Sequence, residues 1–81
     1  MTDAPILHRI NELAHEEEQL WSRASGGGGL DIDEQQRLEA IAVELDQCYD
    51  LLRQRQARRE FGRDPDAARV RDATTVERYT A

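Results

Sequence analysis

Four consecutive glycines, Gly26, Gly27, Gly28 and Gly29, divide this 81-residue chain between two stretches whose apolar residues recur every three or four positions. Glycine has high backbone entropy and no side chain to pack, so the run predicts a flexible connector that ends one helix before another begins. A phosphate-binding loop needs Gly-Lys-Ser/Thr at its far end, and Leu30-Asp31 follows here instead. The glycines therefore point to a hairpin rather than to nucleotide chemistry.

The first stretch predicts a helix over about 3–24, with Asp3 as its cap and Pro5 tolerated in the first turn. Ile6, Ile10, Leu13, Leu20 and Ala24 form its apolar stripe. The second predicts a helix over about 31–61, opened by Asp31 and Glu34 at capping-box spacing. Its stripe is Leu38, Ile41, Leu45, Cys48 and Leu52; Arg55 and Arg59 then stand where apolar residues are due. Phe61-Gly62 is a helix stop, and Asp64-Pro65 signals a turn. A short helical turn is expected near Thr74 to Tyr79.

The two stripes fit each other. In antiparallel register Ile6 meets Leu52, Ile10 meets Cys48, Leu13 meets Leu45, Glu17 meets Ile41, and Leu20 meets Leu38. Only Glu17 breaks the apolar run. The fold class is therefore all-α: an antiparallel two-helix hairpin over residues 1–62, with a C-terminal tail at 63–81 folding back on it.

Flanking positions carry the functional reading. Leu7, Ala14 and Trp21 on the first helix and Ala42 and Tyr49 on the second fall on one edge of the hairpin. The opposite edge holds Arg9, Glu16, Arg23, Arg37, Glu44 and Leu51, which suits water. An uncovered apolar edge with Trp and Tyr marks an association surface. So short a chain buries little surface alone. A homodimer forming a four-helix bundle with coiled-coil-like packing is expected.

The remaining chemistry is sparse. His8, Glu12 and His15 share a helix face, and Glu-x-x-His occurs in di-iron bundles, but the triplet faces away from the apolar stripe and the second helix has no histidine. Neither a metal nor a cofactor is expected. Cys48 is the only cysteine and falls in the predicted core, so an inert thiol is expected and no intrachain disulfide is possible. No nucleophile has a matched base and orienting acid, and the chain is not expected to be an enzyme. The start, Met-Thr-Asp-Ala-Pro, lacks a basic and an apolar segment, and no apolar run approaches the ~20 residues that span a bilayer. A cytoplasmic location is expected.

The net charge of −6 is unevenly spread: residues 1–50 carry 12 acids against 3 arginines, and residues 51–81 carry 5 against 8. Arg53, Arg55, Arg58, Arg59 and Arg63 gather at the end of the second helix. They could complement the helix dipole, pair with the tail acids Asp64, Asp66, Asp72 and Glu77, meet an acidic protein partner, or meet nucleic-acid phosphate. The acidic whole, and the absence of interleaved aromatic residues for base stacking, argue against nucleic acid.

The stretch Glu-Leu-Asp-Gln-Cys-Tyr-Asp-Leu-Leu-Arg-Gln-Arg from Glu44 to Arg55, with Phe61-Gly62-Arg63-Asp64-Pro65-Asp66 and the ending Val70-Arg71-Asp72 through Thr75-Val76-Glu77-Arg78-Tyr79, resembles a family of small actinobacterial proteins of unknown function. The likeness covers nearly the whole chain and is most specific from Leu38 onward. This chain departs from the family pattern in Tyr49, where Trp is common, and in its glycine run. The resemblance implies a bacterial cytoplasmic protein whose tail belongs to the folded unit, and it transfers no activity or site residues. The expected role is a small helical module for self-association and protein interaction. The alternative is a nucleic-acid- or ribosome-associated accessory factor acting through the arginine end.

Overall fold

A computed structural model describes residues 2–74 and 76 of the chain. Two α-helices, α1 (Ala4–Arg23) and α2 (Ile32–Glu60), lie against each other as the expected hairpin. Leu13, Leu20 and Ile41 are fully buried between them, with Leu38, Leu45 and Cys48 packed around that cluster. Ile6 and Ile10 extend the buried row toward the start of α1. Each buried residue lies on the stripe that the three–four spacing assigns, so the seam follows from the sequence pattern alone. Glu17 is half-buried, and Ile41, which the register sets opposite it, is closed over by Leu13 and Leu20.

The helix ends show why the elements stop where they do. The α1 backbone runs on into one wide turn, Ala24–Gly28, instead of fading into coil. It breaks at Gly27, whose φ of 115° is open to glycine and strained for other residues. Asp31 then caps α2 reciprocally: Glu34 N–H donates to the Asp31 carboxylate at 2.8 Å, and Asp31 N–H donates to the Glu34 carboxylate at 3.1 Å. At the far end Gly62, at φ 68°, turns the chain left-handed. Its N–H reaches Arg59 O at 3.2 Å and that of Arg63 reaches Arg58 O at 2.6 Å, a Schellman closure that satisfies the last carbonyls.

Asp3 departs from its expected role. It precedes α1, but its side chain makes no capping bond; the carboxylate instead meets Arg55 and Arg59 across the hairpin. It thereby adds one ionic layer to the end of the apolar seam.

The tail turns at a single 3-10 turn, Pro65–Ala67, where Asp64 accepts a hydrogen bond from Asp66 N–H at 2.9 Å. It then runs back along α2. Gln54 donates to Arg69 O at 2.8 Å and Gln47 to Arg71 O at 3.2 Å, while the Arg71 side chain donates to Asp50 at 3.0 Å. These α2 residues lie on the face away from α1, so the tail forms a third layer behind the second helix. Val76 is fully buried and Ala68 nearly so, whereas Val70 is exposed. Ala73, Thr74 and Val76 are helical. Glu77, a pairing candidate from sequence, and Tyr79, the end of the expected turn, lie outside the described residues.

Candidate functional site

The two edges of the hairpin differ as their sequences require. On one, Arg9 holds Glu44 through two hydrogen bonds of 2.5 and 3.0 Å, and Arg37 holds Glu16 through two of 2.5 and 2.7 Å. Both are fork-on-carboxylate pairs that cross from one helix to the other. The arginine bonds hold the Glu16 and Glu44 carboxyls below the usual carboxylate range. This edge fixes register and satisfies its own charges.

The opposite edge is uncovered. Leu7 is 49% exposed, Trp21 53% and Tyr49 48%, and Ala14 and Ala42 between them are exposed as well. All five residues expected on an association edge are at the surface of the hairpin. The tail, which could have covered them, is bonded to Gln47, Asp50 and Gln54 behind α2 instead.

The five arginines at the end of α2 divide between partners within the chain and open surface. Arg55 is 3% exposed, so it is a buried structural group rather than an accessible interaction residue. Its guanidinium donates to Asp3 at 2.6 Å, to Asp66 at 3.0 Å and to Pro65 O at 3.1 Å, pinning helix start, helix end and tail together. Arg59, though exposed, also reaches Asp3, donating to both of its carboxylate oxygens at 3.2 and 2.8 Å. Bonds from Arg59 and then Arg55 lower the Asp3 carboxyl to about 2. Among the tail acids named from sequence, Asp66 takes part in this pairing, and it is joined by Asp3, which lies far away in sequence.

Arg53 and Arg63 are exposed and Arg58 is half-buried. With Arg71 from the tail they line an open groove of about 650 Å³, together with Asp50, Gln54, Ala57 and Phe61. Phe61 is 79% exposed. Sequence reading missed Arg71 as part of this wall, because only the tail's return path brings it there. Phe61 lies within the cluster's own span and is the large apolar neighbour that the sequence sets beside Arg58, Arg59 and Arg63.

His8 and Glu12 approach to 3.7 Å on the solvent face of α1. No group of three or more His, Cys, Asp or Glu side chains is arranged to hold a metal among the described residues. Cys48 is half-buried rather than enclosed, and desolvation raises its thiol pKa. A shallower apolar groove lies beside it, lined by Pro5, Ile6, Leu51 and Val70. No helix is long and apolar enough to cross a membrane among the described residues.

Fold and edges together define a small all-helical hairpin protein with a back-folded tail. The chain belongs to the family described as "Protein of unknown function (DUF2630)", whose pattern matches residues 2–81. Uncharacterized protein Rv0898c of Mycobacterium tuberculosis (strain ATCC 25618 / H37Rv) is 49% identical over 79 residues, covering 98% of this chain and 91% of that protein. Uncharacterized protein Mb0922c of Mycobacterium bovis shows the same identity and coverage. The resemblance to actinobacterial proteins of unknown function read from the sequence is thereby established. No solved structure matches the chain.

Proposed function

We propose that this protein is a self-association module, two copies pairing through the Leu7–Tyr49 edge into a four-helix bundle that can present a protein-interaction surface. One observation supports this reading above the others: Leu7, Trp21 and Tyr49 stay about half exposed although the chain has a tail long enough to cover them. Large apolar side chains lined along one edge favour burial, at roughly 25 cal/mol per Å² removed from water. The two alanines between them allow close approach of a second backbone. The opposite edge, closed by Arg9–Glu44 and Glu16–Arg37, offers no comparable gain.

Sedimentation equilibrium tests the reading. Wild type is expected to be dimeric at ~100 μM, and Trp21→Glu, which places a charge in the interface, to be monomeric and still helical. A wild-type monomer at that concentration contradicts it. So does a dimer that Trp21→Glu leaves intact.

A further inference from the structure

The arginines divide by partner in a way that singles out one place on the molecule. Arg9, Arg23, Arg37, Arg55, Arg59 and Arg71 each pair with a carboxylate, and Arg69 donates to the backbone oxygens of Asp66 and Ala68. Arg53, Arg58 and Arg63 make no side-chain hydrogen bond or ion pair among the described residues. The chain has 17 acids for 11 arginines, so carboxylates are not scarce. Yet the three arginines left over all line the same groove, beside the exposed ring of Phe61.

The helix dipole does not account for this. A helix C-terminus carries roughly half a negative charge, with its effect confined to the last turn. Arg58 and Arg59 both stand in that turn, but the Schellman bonds already satisfy the last carbonyls, Arg53 lies further back on α2, and Arg63 lies beyond its end. The groove has an excess of three positive charges, since Asp50 and Arg71 neutralise each other on its wall.

We infer that this groove is a binding site for a free nucleoside polyphosphate, with its phosphates on Arg53, Arg58 and Arg63 and its base against Phe61. Guanidinium forks match phosphate oxygens in bidentate geometry. Their three charges suit a di- or triphosphate. An exposed phenyl ring offers the stacking face that a base uses and that an acidic peptide does not need. The groove volume, about 650 Å³, falls within the range of small-ligand sites. A nucleic-acid strand fits less well: the groove is short and the rest of the molecule is acidic, at −6 overall, so a long polyanion leaving it meets repulsion. The Schellman turn at Gly62 sets Phe61 and Arg63 on a fixed backbone rather than a loose end. The site is remote in composition from the apolar edge and does not depend on self-association.

The test is NMR titration of the full-length protein with ATP in EDTA, beside inorganic tripolyphosphate, adenosine and a single-stranded DNA dodecamer. ATP is expected to shift the amides of Phe61 and Arg63 with a Kd of ~1 mM or tighter. Arg58→Gln and Arg63→Gln should each weaken it about tenfold, the loss expected for one charge-assisted hydrogen bond. These arginines support no other side chain, so both variants should melt like wild type. Phe61→Ala should weaken ATP and leave tripolyphosphate unchanged. No shift at these amides at ~10 mM ATP overturns the site. Equal affinity for ATP and tripolyphosphate, or an unaltered Phe61→Ala, overturns the nucleotide. Saturation by the dodecamer at a concentration where ATP does not bind overturns the free ligand in favour of a strand.

Discussion

Asp3 and Arg55 close the seam of the hairpin with an ion pair, Arg55 Nε standing 2.6 Å from Asp3 Oδ1 across 52 residues of chain. The guanidinium is enclosed, and removing one partner from such a pair leaves a buried charge incompletely compensated. Asp3→Asn is therefore expected to lower the melting temperature by roughly 5 °C or more, and Arg55→Ala by more than that. Differential scanning calorimetry checks both. Arg53→Ala, on the exposed part of α2, serves as the control that should change little.

The same contact gives the protein an acid limit. Asp3 sits at about 2, and a hydrogen bond from Arg55 lowers Asp66. Carboxyls with depressed values bind fewer protons folded than unfolded. Their contribution is complete above the unfolded carboxyl range and is lost as pH falls from about 4 toward 2. Thermal melts across that window should fall steeply for wild type and less steeply for Asp3→Asn. A parallel fall in the two would mean that other carboxyls set the limit.

The hairpin was legible because its seam is apolar and evenly spaced. Leu13, Leu20 and Ile41 are buried where the three–four pattern puts them, and the capping box at Asp31 and the stop at Gly62 both form. The tail is expected from sequence to turn back at Asp64-Pro65, but the face on which it docks was not legible. Besides burying Ala68 and Val76, it docks on Gln47, Asp50 and Gln54, polar residues on the face of α2 that periodicity assigns to water, through hydrogen bonds that leave no apolar signature. For the same reason the sequence left open which of the clustered arginines pair within the chain. Only the tail and Asp3 reveal that Arg55 and Arg59 are structural while Arg53, Arg58 and Arg63 are available.

The tail's docking can be tested at one residue. Asp50 is 2% exposed and is bonded by Gln54 at 2.8 Å and Arg71 at 3.0 Å. Arg71→Ala leaves that carboxylate short of a donor and should cost about 1–3 kcal/mol in urea unfolding. Deleting residues 64–81 should lower stability further, because it also removes Val76 from its buried position. An unchanged midpoint for both would place the tail's role elsewhere.

The glycine run separates necessity from tolerance. Gly27 has φ 115°, so Gly27→Ala strains the turn and should destabilise. An added Cβ at Gly28 meets nothing within 4 Å, and its φ lies outside the left-handed range. Gly28→Ala should be neutral or stabilise by up to ~1 kcal/mol through the unfolded chain. Paired urea titrations resolve the contrast in sign.

Cys48 packs beside the core and its thiol pKa is raised, so at pH 8 less thiolate is present than in an unfolded chain. Labelling by a water-soluble thiol reagent should be several-fold slower in native protein than in urea. Equal rates would show that the Ile10–Cys48 layer is open.

The self-association edge is the central claim, and an isotope-filtered NOE experiment on an equimolar mixture of ¹³C-labelled and unlabelled protein tests it most directly. Protons of Trp21, Leu7 and Tyr49 are expected to show cross-peaks between copies, since these side chains are half exposed within one hairpin and would face each other across two. Inter-copy cross-peaks confined to Leu51, Val70 and the Arg9–Glu44 edge, or none at ~200 μM, a concentration well above that at which a micromolar dimer saturates, would contradict the account.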